Sequence, residues 1–357
     1  MVKEERTKEE TSTITTITSF TPLYFNIPKK MAGKKIILVS RSPQIPDALK
    51  VLYDHFELRV NEGKPYCKNK FIEALKDVDG LFCASDIIGP ELMEYASKLQ
   101  IIANYGVGYD NINVEAAQKR GIAVTNTPEV STESVADLTI GLILAISRRI
   151  AEANDVLKQR KPLEWVGFYL PATDVHHKTL GIIGFGRIGK SIAQRATGFK
   201  MKVLYHDIQQ QNPDEEKRLN VEFRELDDLI KEADFISIHC NLDKKTYHLL
   251  GEKQLNLIKP SAFLINTSRG AVIDEKALIK AIQMKKIAGA ALDVFEDEPN
   301  IPKELLDANN VVVTPHIGNG TYETRRAMTE RCCINLLMAL SGKIPQDLVN
   351  PPWKPKT

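Results

Sequence analysis

The chain has little of what marks the specialised classes of protein. Its 357 residues include only five cysteines, an odd number without the spacing of a metal site or a disulfide framework: Cys67, Cys83, Cys240, Cys332 and Cys333. This usage predicts reduced thiols in a cytoplasmic compartment. The basic and acidic residues nearly balance, 48 against 46, so charge does not favour nucleic acid or a membrane as partner. No apolar run approaches the roughly 20 residues of a membrane span.

The first 33 residues lack any pattern of a packed core. They are rich in Thr, Ser, Lys and Glu, without the continuous apolar stretch of a signal peptide. Glu4 and Glu9 also argue against a mitochondrial transit peptide, which should be poor in acids. We therefore expect residues 1–33 to be a disordered extension, with the folded part beginning at Lys34.

From Lys34 onward, short apolar runs alternate with amphipathic stretches. This βαβ rhythm predicts parallel sheets flanked by helices. The predicted strands are 34–40, 80–85, 101–104, 122–126, 179–184, 202–207, 233–240, 262–268, 288–294 and 311–315. Most are apolar nearly throughout, which indicates strands covered on both faces.

Two long helices stand out in the same pattern. One is predicted from Pro128 to about Asn154, with Ser131 or Thr132 as its cap and Glu133 in its first turn. Its middle is apolar nearly all round, so it should be buried, either as a domain connector or in a subunit interface. A second helix is predicted over 322–341, and the proline-rich end of the chain should be extended.

A glycine motif lies between the run 179–184 and the helical pattern that follows it. Gly184, Gly186 and Gly189 form Gly-x-Gly-x-x-Gly, in which glycines permit a tight turn, close approach to a pyrophosphate and helix–strand packing. Seventeen residues separate Gly189 from Asp207, at the end of the next strand. Its carboxylate can accept hydrogen bonds from ribose hydroxyls and would repel a 2′-phosphate. The motif predicts dinucleotide binding, with NAD preferred over NADP.

A second glycine turn, Gly106-Val107-Gly108, follows the strand 101–104. Successive N–H groups in such a turn can hold a carboxylate, although a plain strand–helix turn would have the same sequence.

Three charged or titratable residues follow three later strands: Arg269, Glu298 and His316. Carboxyl ends of parallel strands converge on one crevice, where ligands bind. Taken singly, each could be a solvated arginine, an acidic turn or a packed histidine. Their joint placement beside a dinucleotide motif favours a catalytic site.

These motifs, in the order TLGIIGFGRIG, LINTSRGAVIDEKAL, ALDVFEDEP and TPHIG, resemble the D-2-hydroxyacid dehydrogenase family from about Lys34 to Asn350. The resemblance implies an α/β fold of two doubly wound parallel-sheet domains, Rossmann-like or flavodoxin-like, with the active site in the cleft between them. It also implies a substrate domain (34–125 plus 317–345), an NAD-binding domain (126–316) and a C-terminal tail (346–357).

The resemblance further implies roles for single residues. Arg269, Glu298 and His316 would be catalytic, and Glu298 is preferred to Glu296 because it lies five positions after Asp293. Gly106, Val107 and Gly108, together with Arg269 and His316, would bind the substrate. The implied cofactor contacts are Gly184, Gly186, Arg187, Ile188, Gly189, Asp207, His239, Thr267 and Asp293, the last at the nicotinamide carboxamide. No metal is expected.

The implied reaction moves a hydride between NAD(H) and a small 2-oxo acid. His316 would protonate the carbonyl oxygen, Glu298 would orient the imidazole, and Arg269 would hold the carboxylate and polarise the ketone. Several segments are most similar to glyoxylate and hydroxypyruvate reductases of the family, which are implied to be homodimers. Asn241 and Asp243 stand where the family commonly has Pro and Thr. A reductase of a bulkier 2-oxo acid, a D-lactate-type dehydrogenase and an NAD(H)-sensing binding protein remain alternatives.

Overall fold

The computed structural model describes residues 34–43, 45–159 and 171–355, and the predicted extension over 1–33 lies outside them. The strands are β1 (Ile36–Val39), β2 (Glu57–Val60), β3 (Gly80–Cys83), β4 (Ile101–Asn104), β5 (Ala123–Thr125), β6 (Thr179–Ile183), β7 (Lys202–His206), β8 (Val221–Phe223), β9 (Phe235–Ile238), β10 (Phe263–Asn266), β11 (Gly289–Leu292) and β12 (Val311–Val313).

The α-helices alternate with the strands. They are α1 (Lys50–Tyr53), α2 (Lys68–Leu75), α3 (Pro90–Tyr95), α4 (Val114–Lys119), α5 (Thr132–Ser147), α6 (Ile150–Lys158), α7 (Arg187–Ala196), α8 (Pro213–Leu219), α9 (Leu226–Glu232), α10 (Glu252–Leu255), α11 (Glu275–Gln283), α12 (Lys303–Leu306) and α13 (Tyr322–Leu340). In the described part of the chain, none of them has both the length and the apolar character needed to cross a membrane.

The strands form two parallel sheets, which we call the first and second sheet. Within the described ranges, the first has the order β2-β1-β3-β4-β5, the doubly wound order of flavodoxin-like folds. The second has the order β12-β11-β10-β9-β6-β7-β8, which is the Rossmann order with one additional strand. The predicted fold class is thus confirmed.

The strand order of the second sheet reverses between β6 and β9. These two strands pair directly, with Ile183 opposite Ile238 at their carboxyl ends. In open α/β sheets, ligands bind in the crevice at such a switch point. The glycine motif that follows β6 therefore opens onto the expected binding crevice.

Each sheet is covered on both faces by apolar side chains. On β1, Leu38 packs in one buried cluster, whereas Ile37 and Val39 pack in the opposite one with α13. On β6, Ile182 and Ile183 likewise belong to different clusters. This explains why the strand sequences are apolar nearly throughout rather than alternating.

The single helix predicted from Pro128 to about Asn154 is wrong, because two helices occupy that segment. α5 ends at Ser147, and Arg149 takes a left-handed conformation (φ +53°) before α6 begins. Ser131 holds the N-cap position of α5 but makes no side-chain cap hydrogen bond. Glu133 pairs with Arg195 of α7 at 2.8 Å. α5 is buried against α7, β10 and β11 of its own chain.

The C-terminal segment packs more closely than the predicted extended tail. Val349 donates its N–H to the carbonyl of Val124 in β5 at 2.9 Å. The side chain of Asn350 bonds the N–H of Val124 and the carbonyl of Ile122, at 2.9 and 2.8 Å. Trp353 is 5% exposed and lies in the core beneath the first sheet. The described part of this segment is therefore integral to the first sheet.

Candidate active site

The loop between β6 and α7 has the geometry that its glycines predict. Gly184 has φ +92°, and a Cβ there would lie 2.4 Å from the backbone nitrogen of Cys240. At Gly189 a Cβ would lie 2.5 Å from the carbonyl oxygen of Gly184, so helix and strand pack in close contact. Nothing lies within 4 Å of the Cβ position of Gly186. The loop thus leaves open space directly in front of the helix N-terminus, whose first N–H groups have no intrahelical acceptor.

Asp207 directly follows β7 and lies beside this loop. Its Oδ2 accepts the N–H of Phe185 at 2.6 Å, and its Oδ1 accepts the N–H of Ile208 at 2.7 Å. The Ile208 side chain is 96% exposed. The carboxylate is therefore held within reach of the glycine loop, where a dinucleotide's ribose would lie. Arg187 opens α7 with an exposed side chain, 3.4 Å from Glu129.

His239 and Thr267 follow the neighbouring strands β9 and β10. Nε2 of His239 lies 2.6 Å from the hydroxyl of Ser237, while its Nδ1 is buried without a partner in the described part of the protein. Burial lowers the pKa of His239 to about 3, so its imidazole is neutral at physiological pH. The hydroxyl of Thr267 lies 2.9 Å from that of Thr139 in α5. The unpaired Nδ1 and the open space at Gly186 both fit a dinucleotide in this crevice.

His316 and Glu298 form a close pair. Nδ1 of His316 lies 2.8 Å from Oε2 of Glu298, and the carboxylate can only accept, so Nδ1 carries the proton. Glu298 also accepts the N–H of Phe295 at 3.0 Å. Burial alone would raise the pKa of Glu298, but the hydrogen bond and charge of His316, the Phe295 N–H and the charge of Arg269 outweigh it and lower that pKa. The arrangement leaves Nε2 of His316 free to exchange a proton.

Asp293 shapes the loop that carries His316. It is 1% exposed, and its carboxylate accepts the Thr314 hydroxyl at 2.6 Å and the N–H groups of Ile317 and Gly318, each at 2.8 Å. His316 itself takes a left-handed conformation (φ +54°) and donates its N–H to the Asp293 carbonyl at 2.9 Å. Asp293 thus fixes the turn at His316, and its contact with nicotinamide stays a prediction.

Arg269 reaches from the second sheet to the loop that follows β4. Its Nε donates to Oδ1 of Asp110 at 2.9 Å. A Cβ at Gly108 would lie 1.8 Å from Nη2, so the guanidinium lies directly against that glycine. Asp110 was not among the predicted site residues, although it lies two positions after Gly108 in the same motif.

Every carbonyl of the Gly106–Gly108 turn has a hydrogen-bond donor. Nδ2 of Asn104 donates to Gly106 and Gly108, at 3.2 and 2.8 Å, and Asn126 donates to Val107 at 2.8 Å. In the described ranges, the N–H groups of Val107 and Gly108 have no partner. The turn therefore presents free donors and no free acceptor, as an anion site requires. Neither asparagine was predicted: Asn104 lies next to the turn in the sequence, whereas Asn126 follows β5 and has no local signal.

A second histidine–glutamate pair joins the loop after β11, which also carries Glu298, to the loop between β9 and α10. Nε2 of His248 lies 2.9 Å from Oε1 of Glu296, and the His248 ring stacks on Tyr247 with centroids 4.0 Å apart. Glu296 therefore has a partner of its own, and Glu298 is the carboxylate that reaches His316.

The crevice of the second sheet, the His316–Glu298 pair and a turn whose N–H groups suit an anion are together typical of a dinucleotide-dependent oxidoreductase with an acidic substrate. Comparison with known proteins leads to the same class. A profile described as D-isomer specific 2-hydroxyacid dehydrogenase, NAD binding domain, matches residues 140–318. A glyoxylate reductase of Thermococcus litoralis is 46% identical over 319 residues, 86% of this chain and 95% of that protein.

Solved structures agree with this similarity. The TT0316 protein of Thermus thermophilus has a TM-score of 0.82 at 38% identity, covering 88% of this chain and 100% of that chain. An NADPH-dependent glyoxylate/hydroxypyruvate reductase of Sinorhizobium meliloti has a TM-score of 0.80 at 32% identity, covering 91% and 100%. The chain belongs to the D-isomer-specific 2-hydroxyacid dehydrogenase family. It is an NAD-dependent dehydrogenase that acts on a CH–OH group, as the sequence motifs predicted.

Proposed function

We propose that this enzyme reduces a small 2-oxo acid, glyoxylate or hydroxypyruvate, and oxidises the matching 2-hydroxy acid in reverse. The observation that carries the proposal is the set of free donors at the cleft. Nη2 of Arg269 lies beside Gly108, and the N–H groups of Val107 and Gly108 have no partner in the described residues. This set matches one carboxylate. The Thermococcus relative is named a glyoxylate reductase and the Sinorhizobium relative a glyoxylate/hydroxypyruvate reductase, which agrees with such substrates.

In the proposed mechanism, Arg269 and the turn hold the substrate by its carboxylate. A guanidinium edge and two N–H groups bind both carboxylate oxygens and fix the direction of the neighbouring carbonyl. The same positive charge stabilises the negative charge that develops on the carbonyl oxygen. Arg269 thus contributes to binding and to the transition state.

The proposed proton donor is Nε2 of His316. Glu298 accepts from Nδ1 and sets the orientation of the ring, so Nε2 faces the carbonyl oxygen and protonates it. In the reverse direction His316 acts as the base. Gly184, Gly186, Gly189, Asp207 and His239 would line the crevice that holds NADH, which would supply the hydride when bound. His239, neutral because of its burial, would contact the cofactor and would take no part in the proton transfer.

NADH oxidation at 340 nm tests this function against glyoxylate, hydroxypyruvate, pyruvate and phenylpyruvate. We expect the first two to give the highest kcat/KM. His316→Ala should lower kcat by roughly 10²–10⁴-fold because the proton donor is lost. Arg269→Ala should raise KM and lower kcat together. Turnover of none of the four acids by the wild-type protein would contradict the function and favour an NAD(H)-sensing role. Wild-type kinetics in either variant would remove that residue's role.

We also propose a homodimer in the cytoplasm. The support for the compartment is that all five cysteines are free thiols, with burial raising the pKa of Cys83 and Cys332. The support for the dimer is α6, none of whose residues is buried although Ile150 and Leu157 are large and apolar. Since α5 is covered by its own sheet, α6 replaces the middle of the predicted long helix as the candidate interface.

A further inference from the structure

An acid, Asp110, lies two residues after the turn that is proposed to bind the carboxylate. Asp110 follows β4 of the first sheet, whereas Arg269 follows β10 of the second. Oδ1 of Asp110 accepts from Nε of Arg269 at 2.9 Å, and the two side chains are about one-third exposed. This ion pair joins the two sheets directly across the cleft.

Only some of the five N–H groups of Arg269 have hydrogen-bond acceptors among the described residues. Nε donates to Asp110, and Nη1 donates to the carbonyl of Ser268 at 2.9 Å. Nη2 has no acceptor among the residues that the structure describes, and it is the atom that lies against Gly108. The free end of the guanidinium is thereby placed beside the unpaired N–H groups of the turn.

We propose that Asp110 is a positioning residue, which fixes the plane of the Arg269 guanidinium so that Nη2 and the turn bind one substrate carboxylate together. A guanidinium held only by its flexible side chain would sample other directions, and the geometry of the two-point contact would be lost. Asp110 also gives Arg269 an acidic partner other than Glu298, so that Glu298 stays with His316. Because a partly exposed ion pair can be without any effect, the test has to separate positioning from a passive contact.

Two substitutions at this position test the proposal. Asp110→Ala removes the acceptor, and Asp110→Asn keeps an oxygen there without the charge. We expect Asp110→Ala to raise the KM for glyoxylate at least tenfold and to lower kcat at least threefold, with Asp110→Asn between it and wild type. Asp77→Asn is the matched control, because Asp77 pairs with Arg59 at 2.7 and 2.9 Å at the opposite edge of the same sheet. Its kinetic constants should equal those of wild type.

A double variant shows whether Asp110 acts through Arg269. If it does, adding Asp110→Ala to Arg269→Ala should lower kcat/KM by less than a further threefold. A loss equal to the product of the two single losses would overturn the proposal, as would wild-type constants in Asp110→Ala. Thermal unfolding identifies any variant that fails to fold. If Asp110→Ala does not fold, the kinetic constants of Asp110→Asn are compared with those of wild type instead.

The inference rests on the proposed 2-oxo acid chemistry, so binding is measured beside turnover. Oxamate has the same adjacent carboxylate and carbonyl but no reducible ketone. In the NADH-loaded protein, we expect Asp110→Ala to weaken oxamate binding at least tenfold by calorimetry, with NADH affinity unchanged within twofold. Equal oxamate affinity in wild type and variant would refute the positioning role. Weakened oxamate binding with no turnover of any 2-oxo acid by wild type would count against the proposed function alone.

Discussion

At the scale of single residues, Asn104 determines what the Gly106–Gly108 turn can bind. Its amide is 1% exposed and donates to two carbonyls of the turn, which would otherwise face any ligand in the cleft. An aspartate there has no such donor and would add a negative charge beside an anion site. The buried amide of Asn104 is therefore as much a part of the proposed substrate site as the N–H groups of Val107 and Gly108.

His239 provides a prediction about stability and pH. Its pKa is about 3 in the folded chain, because burial opposes the charged form, against 6.5 for a free imidazole. Below pH 6.5 the unfolded chain takes up a proton that the folded chain does not, so stability present above pH 6.5 is lost as the pH falls towards 3. One proton corresponds to about 1.4 kcal/mol per pH unit. We expect the unfolding free energy, measured by urea unfolding, to fall less between pH 6 and 4.5 in His239→Gln than in wild type. The difference should be about 1.4 kcal/mol per pH unit.

The matched control for this experiment is His176→Gln, at a histidine whose side chain is 61% exposed. A pH slope in His239→Gln as steep as in wild type would show that His239 is charged in the folded protein. It would then also be available for proton exchange near the cofactor, contrary to the proposed mechanism.

At the scale of elements, the C-terminal segment completes the edge of the first sheet. Asn350→Ala should destabilise the protein by about 1–3 kcal/mol, because the N–H of Val124 and the carbonyl of Ile122 lose their partner in a buried place. We expect a lower thermal midpoint with kcat and KM unchanged at 25 °C, since the side chain of Asn350 bonds the backbone at β5 and no predicted catalytic residue.

Lys354→Ala is the control for Asn350→Ala, because Lys354 lies in the same segment and is exposed. A thermal midpoint for Asn350→Ala equal to that of the control would mean that the segment packs without stabilising the sheet.

The inner strands and the edge strands β5 and β12 could be predicted from the sequence, whereas the edge strands β2 and β8 could not. In β4 and β10 every residue except the final Asn is apolar, because both faces of these strands are covered, and this pattern can be recognised in the sequence. β2 has the sequence Glu-Leu-Arg-Val with partial exposure, and β8 has three residues, so neither carries such a pattern. The boundary between α5 and α6 at Arg149 could not be predicted either, because an arginine in the left-handed conformation has no signature in composition.

The same division holds in the candidate site. The glycine motif follows from a local sequence pattern, and the choice of Glu298 and His316 follows from the family resemblance; the structure brings these two side chains into contact. The contact between Asp110 and Arg269 joins positions 159 residues apart on different sheets, and no local pattern encodes it. Asn104 and Asn126 are informative only once the direction of the carbonyls is known. Side chains that orient other groups are therefore the part of a site that motifs leave out.

At the scale of the whole molecule, the predicted active site is assembled from one chain. Arg269, Glu298 and His316 belong to the second sheet's loops, and the turn at Gly108 belongs to the first. The geometry of the predicted active site therefore depends on how the loops of the two sheets face each other. The Asp110–Arg269 ion pair links these loops directly. A dimer formed through α6 would leave this cleft within each subunit.

The dimer can be tested by charging the apolar face of α6. Ile150 and Leu157 are 54% and 60% exposed and lie two turns apart, on one side of the helix. We expect the double variant Ile150→Asp/Leu157→Asp to have the 40.0 kDa mass of one chain by light scattering, and wild type to have twice that mass. Ile344→Asp, at an equally exposed position on the other domain, should stay dimeric. Since the cleft lies within one chain, the monomeric variant should keep kcat within threefold, and a dimeric variant would exclude α6 as the interface.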